Sequence, residues 1–159
     1  MIFVCVGSRN HQFDRLIRKI DELAGAGEIQ EDVFAQIGAG GYLPKHIKYE
    51  RFLESSQYKE MQDKARLIIT HGGTASVIGA LRKGKQVIAI PRLAKYHEHV
   101  DDHQTQIVGT LAREEYIVQV MEIDELLGAI RRFDADSMWE PKRYEVESNV
   151  VEIIIQYIG

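Results

Sequence analysis

Short apolar runs alternate along this chain with segments whose apolar residues recur every three or four positions, and polar or glycine-rich turns separate the two. Residues 2–6 read as a buried strand. The turn Gly7-Ser8-Arg9-Asn10 follows, and Phe13, Leu16, Ile17, Ile20 and Leu23 then mark one face of a helix, which Gly25 and Gly27 stop. Residues 33–37 predict a second strand, ending in Gly38-Ala39-Gly40-Gly41. A short strand is expected near residues 47–52 and a helix from about residue 56 to residue 65. Residues 67–70 predict the next strand; the helix after His71-Gly72-Gly73 carries Val77, Ile78 and Leu81, with Gly84 as its stop. Residues 87–90 form a strand that ends at Pro91, as suits a strand's exit. A helix over 100–111, a strand over 116–120 and a helix over 123–130 complete the pattern. Such alternation predicts an α/β fold with a parallel sheet and right-handed crossovers.

The tail departs from this rhythm. Ser137-Met138-Trp139-Glu140-Pro141 interrupts it, and a last helix is expected from about residue 144 to residue 157. Its apolar residues, Val146, Val150, Val151, Ile153, Ile154, Ile155, Tyr157 and Ile158, spread over roughly half the circumference or more at 100° per residue. Two readings fit: a helix wedged deeply against its own sheet, or one that also offers apolar surface to another subunit. The chain thus divides into a domain over residues 1–133 and a linker with a C-terminal helix over residues 134–159.

A length of 159 residues suits one domain with a sizeable core, and 45% hydrophobic and 28% charged residues are ordinary for a globular protein. The net charge of −4 gives no reason to expect a nucleic-acid partner. The single cysteine, Cys5, has no internal disulfide partner and lies in an apolar strand, which points to a reducing compartment and an inert thiol. MIFVCV is too short for the apolar region of a signal peptide, and no run approaches the ~20 apolar residues that span a bilayer. Membrane association is therefore expected through a partner.

In a parallel sheet the strand-to-helix loops emerge at one edge. Residues 7–10, 38–41, 71–74 and 91–99 therefore converge. Glycines there let a ligand approach the backbone, and the helix starting near Thr74 offers free N–H groups and a positive dipole end. Thr74 and Ser76 add hydroxyls, and His71 a donor that can become cationic. A diphosphate matches this set best, although Gly72-Gly73 taken alone could be a tight turn. Arg92 and Lys95 belong at the same edge, whereas Arg82, Lys83 and Lys85 belong at the opposite one. The cluster His97, Glu98, His99, Asp101, Asp102 and His103 admits a metal reading through His99 and His103, but no recognised zinc spacing completes it. Polar recognition of a hydroxyl-rich ligand by Asp102 and Gln104 is the alternative; neither a metal nor another cofactor is expected. No Walker-type phosphate loop, no G-x-G-x-x-G and no G-x-S-x-G elbow is present.

The segments MIFVCVGSRNHQFDRL, ITHGGTAS and IPRLAKYHEHVDDHQ resemble, in order, those of the family 28 glycosyltransferase C-terminal domain. The similarity runs to about residue 130 and is nearest to the small, split members. These are the PssE-like exopolysaccharide glycosyltransferases and the catalytic subunit of the dolichol-linked N-acetylglucosaminyltransferase. The resemblance implies the Rossmann-like C-terminal half of a GT-B enzyme, holding a UDP-sugar. It further implies a separate membrane-anchored subunit for the lipid-linked acceptor, with the last helix as docking element. By position, Gly7, Ser8, His71, Gly72, Gly73, Thr74 and Ser76 match the diphosphate-binding elements. Asp102 and Gln104 match the pair that grips the donor sugar, and Glu98 and His99 fall in a shared segment of unassigned role. Three departures stand out: Gly79 replaces a glutamate that contacts the ribose, Ser8 and Gln12 replace a usual Thr and Pro, and Ala75 replaces a common glycine.

The expectation is an inverting UDP-sugar-dependent glycosyltransferase subunit of polysaccharide or glycolipid biosynthesis, peripheral at the cytoplasmic membrane face. It would work as a heterodimer, with a homodimer open to it in isolation. His11 is the one candidate for the general base, and a group from the partner is at least as suitable. A non-catalytic binding or regulatory subunit and a stand-alone epimerase-like enzyme are the alternatives.

Overall fold

One row of residues, Glu50, Gln36, Cys5, Thr70, Ala89 and Gln119, runs straight across the sheet, because every strand pair is parallel and in step. The computed structural model describes residues 1–7, 11–98, 103–134 and 137–143, without the side chains of residues 94 and 103–105. Its strands are β1 (Ile2–Cys5), β2 (Val33–Gln36), β3 (Lys48–Glu50), β4 (Leu67–Thr70), β5 (Gln86–Ala89) and β6 (Val118–Gln119), in the spatial order β3-β2-β1-β4-β5-β6. The helices are α1 (Asp14–Gly25), α2 (Ser55–Lys64), α3 (Thr74–Arg82), α4 (His103–Arg113) and α5 (Leu126–Arg131). Strand order reverses between β1 and β4, so the loops after these strands diverge and leave a crevice.

The period-two pleat of the strands divides the core. Ile2, Val4 and Val6 face Phe13, Leu16, Ile17 and Ile20 of the α1 region and Leu126 and Ile130 of α5. Phe3 and Cys5 face the other way, toward Val77 and Leu81 of α3 and Ile107, Val108 and Leu111 of α4. Both faces are covered, which is why the strands read as continuous apolar runs rather than alternating ones.

Several predicted bounds move. Helix α1 includes Gly25 and ends at the Ala26 cap; the left-handed Gly27, at φ +78°, makes the stop. The strand expected over residues 116–120 pairs only through Val118–Gln119, although Tyr116 and Ile117 are buried. The helix expected over 123–130 begins as a 3-10 turn, Ile123–Glu125, before α5. The last helix, expected over residues 144–157, lies outside the described residues.

The link from β2 to β3 contains no helix and is held by carboxylates of α1. Asp14 accepts from the N–H groups of Gly41 (3.3 Å) and Tyr42 (3.1 Å). Asp21 accepts from the Tyr42 hydroxyl at 2.6 Å and from the N–H groups of Lys45 and His46. Burial alone would raise the Asp21 pKa, but these bonds overcome it and hold the carboxyl below its usual range.

Candidate functional site

Gly7, directly beyond β1, and the sequence His71-Gly72-Gly73, directly beyond β4, meet across the β1/β4 crevice. Gly7 takes φ +85°, and a Cβ there would come within 2.9 Å of the His71 imidazole. Gly73 is packed against the same imidazole atoms, closer than a Cβ would allow. The histidine thus lies against two bare stretches of backbone. It is 8% exposed, and its Nδ1 lies 3.3 Å from the Thr70 hydroxyl.

Helix α3 begins at Gly73, which as N-cap brings no side chain to the helix end. The first bond of the helix runs from Val77 N–H to Gly73 C=O at 3.0 Å. The N–H groups of Thr74, Ala75 and Ser76 therefore have no partner within the helix and point out at the crevice. A helix start of this kind, beside a histidine and a glycine turn, has the geometry that suits an anion.

A cleft of about 390 Å³ opens from Gly7 and Ser76 and is walled by Gln36, Phe52, Leu53, Tyr58 and Lys59. Phe52 is half-exposed there. The Tyr58 hydroxyl donates to Ser76 Oγ at 3.4 Å and lies 3.5 Å from the Cys5 thiol. Burial, and then the adjacent thiol, push the Tyr58 hydroxyl well above its ordinary range; burial also raises Cys5. Both shifts favour the protonated forms, and the two groups lie within hydrogen-bonding reach of each other in the core. A larger depression of about 520 Å³ lies along α1, but its cations are engaged. Arg15 pairs with Glu98 at 3.0 Å, Lys19 with Asp124 at 3.3 Å, and Arg18 lies over the Tyr42 ring at 5.0 Å.

The structure brings Gly7, His71, Gly72, Gly73, Thr74 and Ser76 together at one edge. Arg92 stands at that edge too, but it is 1% exposed and its guanidinium turns inward, onto the carbonyls of Val6 and His11. Glu98 is fully buried and holds the loop after β5 to Arg15 of α1. His11 is partly buried, with its carbonyl on Arg92. Ser8, His99 and Asp102 lie outside the described residues, and Gln104 is described only as backbone in the first turn of α4.

Sequence reading overlooked Gln36, Tyr58, Phe52, Leu53 and Lys59. Gln36 is 4% exposed; its Oε1 accepts from Val6 N–H at 3.3 Å, and its Nε2 donates to the carbonyls of Gly7 (3.0 Å) and Arg51 (2.9 Å). A polar residue closing an otherwise apolar strand at the ligand edge was the available signal. Tyr58 and Lys59 gave none, because α2 carries no marked apolar face.

The profile of the Glycosyltransferase family 28 C-terminal domain matches residues 1–154. The UDP-N-acetylglucosamine transferase subunit ALG13 of Homo sapiens is 27% identical over 125 residues, which is 73% of this chain and 10% of that protein. The chain therefore spans about a tenth of that relative's length. An NMR structure of ALG13 superposes with a TM-score of 0.63 over 98% of this chain and 94% of the other, at 18% identity. The glycosyltransferase SnogD from Streptomyces nogalater gives 0.56 over 84% of this chain and 35% of its own, at 20% identity. The calicheamicin glycosyltransferase CalG4 gives 0.57 over 98% and 36%, at 17% identity. These likenesses are likenesses of fold.

Proposed function

Because the chain belongs to the family of glycosyltransferase family 28 C-terminal domains, we propose that it is the donor-binding, catalytic subunit of an inverting UDP-sugar-dependent glycosyltransferase. The observation that carries this reading is the close packing of His71 against the bare backbone of Gly7 and Gly73 at the uncapped start of α3. That arrangement suits a diphosphate. The adjacent cleft, with an aromatic ring at Phe52 and polar edges at Ser55, Tyr58 and Lys59, suits the nucleoside attached to it. The human relative, a UDP-N-acetylglucosamine transferase subunit by name, supports both a UDP-sugar donor and a partner chain.

In the reaction an acceptor hydroxyl attacks the anomeric carbon of the donor sugar. The new glycosidic bond forms as the bond to the diphosphate oxygen breaks, and UDP leaves with the electron pair. The N–H groups of Thr74, Ala75 and Ser76, with His71, stabilise the charge that develops on the departing diphosphate. Asp102 and Gln104 would hold the sugar. The acceptor's proton passes to a base, for which His11 is the candidate in this chain and a partner residue the competitor.

The acceptor is proposed to be a lipid diphosphate, presented by a membrane-anchored subunit in polysaccharide or glycolipid biosynthesis at the cytoplasmic membrane face. Among the described residues no helix is long and apolar enough to cross a membrane. Residues 134–159 would dock on that subunit, the broad apolar arc of residues 144–157 being the motive. A non-catalytic subunit is the second reading, favoured by Gly79, which leaves the flank of α3 without a carboxylate for ribose.

Calorimetric titration of UDP into the wild type and Gly73→Asp tests the reading. Binding by the wild type, lost when a carboxylate stands against the diphosphate, is expected. Absence of binding to UDP and to UDP-sugars, with the membrane partner present, would falsify it.

A further inference from the structure

Among the described residues Arg92 is the largest fully buried side chain, and it follows Pro91 at the exit of β5. One of its nitrogens, Nη2, donates to two carbonyls, that of Val6 and, at 3.1 Å, that of His11. A single nitrogen therefore ties Val6, just beyond β1, to His11, just before α1. The guanidinium also lies over the Phe13 ring, 5.5 Å from its centre, which fixes its height in the core. Pro91 itself is held, its carbonyl accepting from Arg15 Nη2 at 3.3 Å.

The peptide unit is planar and trans, so each N–H points opposite to the preceding C=O. With the Val6 and His11 carbonyls drawn onto Arg92, the N–H groups of Gly7 and Gln12 face away from it. Gln36 takes the Gly7 carbonyl at 3.0 Å, which fixes the next peptide as well. The left-handed Gly7 is thereby set against His71 with its peptide orientation determined from beneath.

We infer that Arg92 is a positioning residue for the diphosphate site. It does not touch the ligand; by holding the Val6 and His11 carbonyls it sets the Gly7 peptide against His71 before binding, so that binding need not orient it. This rests on the donor-site reading above.

UDP titration of the full chain tests the inference, with Arg92→Met and Arg92→Lys as variants and Arg66→Met as control. Arg66 pairs with Glu31 next to the chain's N-terminus, at the edge of the sheet remote from the crevice. Near-UV circular dichroism first establishes that each protein is folded at the assay temperature. Folded Arg92→Met is expected to lose roughly tenfold in UDP affinity, and Arg92→Lys a few-fold, since its shorter stem reaches at most one carbonyl. The amide resonances of Gly7 and Gln12 should shift in both variants without ligand. Arg66→Met is expected to lower the melting temperature and keep its UDP affinity within about twofold. Unchanged affinity in either folded Arg92 variant, unmoved Gly7 and Gln12 resonances, or an equal loss in Arg66→Met overturns the inference. Where Arg92→Met does not fold, Arg92→Lys decides by the same criteria. Failure of the wild type itself to bind UDP instead overturns the donor-site reading, and the Arg92 role with it.

Discussion

Glu98 and Arg15 form a two-pronged pair: Arg15 Nε donates to one carboxylate oxygen and Nη2 to the other, each at 3.0 Å, and the carboxylate is 1% exposed. Glu98 also accepts from Leu93 N–H at 3.2 Å, closing the loop on itself. Removing one partner of a buried pair leaves the other charged and unmatched. Glu98→Gln is therefore expected to cost about 2–4 kcal/mol, read from urea denaturation, whereas an exposed pair such as Lys64–Glu60 should change stability by less than about 0.5 kcal/mol.

Phe52 separates the parts of the proposed ligand. It is 51% exposed in the cleft beside Gly7 and Ser76, so its truncation leaves the core intact. Phe52→Ala is expected to weaken UDP binding by roughly tenfold, the worth of one aromatic contact. Inorganic pyrophosphate, which lacks the nucleoside, should bind the variant as it binds the wild type. Equal losses for the two ligands in calorimetry would remove the nucleoside from this cleft.

Asp21 gives the fold a dependence on acid. Its folded pKa is lowered, so its contribution is fully present above the unfolded carboxylate pKa of about 3.9 and is lost as pH falls through the lower folded value. Glu31 is lowered too, chiefly by its hydrogen bonds from Arg66, and acts in the same direction. Asp21→Asn is expected to lower stability at neutral pH and to flatten the loss of stability below about pH 4, measured as thermal midpoint against pH.

The apolar arc of the last segment makes its own prediction. Ile154→Asp combined with Ile155→Asp should abolish co-purification with a membrane-anchored partner and leave UDP affinity within about twofold, because the arc supplies no group to the proposed donor site. Retained co-purification would assign the arc to the chain's own core.

The strands were legible because both faces of the sheet are covered: β1, β4 and β5 are built on the apolar runs of residues 2–6, 67–69 and 87–90. The stop of α1 was legible only to within two residues, since Gly25 and Gly27 look alike in sequence while only Gly27 adopts positive φ. The short β6 was over-read because Tyr116 and Ile117 are as apolar as strand residues but carry no ladder bonds.

For the site, the chain order of strands, glycine turns and helix starts was enough to place Gly7 and His71 through Ser76 at one edge, since a parallel sheet leaves its loops no other side. What only tertiary structure decided is which polar groups face the crevice and which support it. Arg92 and Glu98 read as surface chemistry, yet both are buried as ties between loops, while Gln36, whose signal was overlooked, and Tyr58, silent in the sequence, line the cleft. The physical reason is range. Periodicity and turn chemistry act between near neighbours in the chain, whereas a buried guanidinium or carboxylate finds its partner through bonds that span some eighty residues, as from Arg92 to His11 and from Glu98 to Arg15.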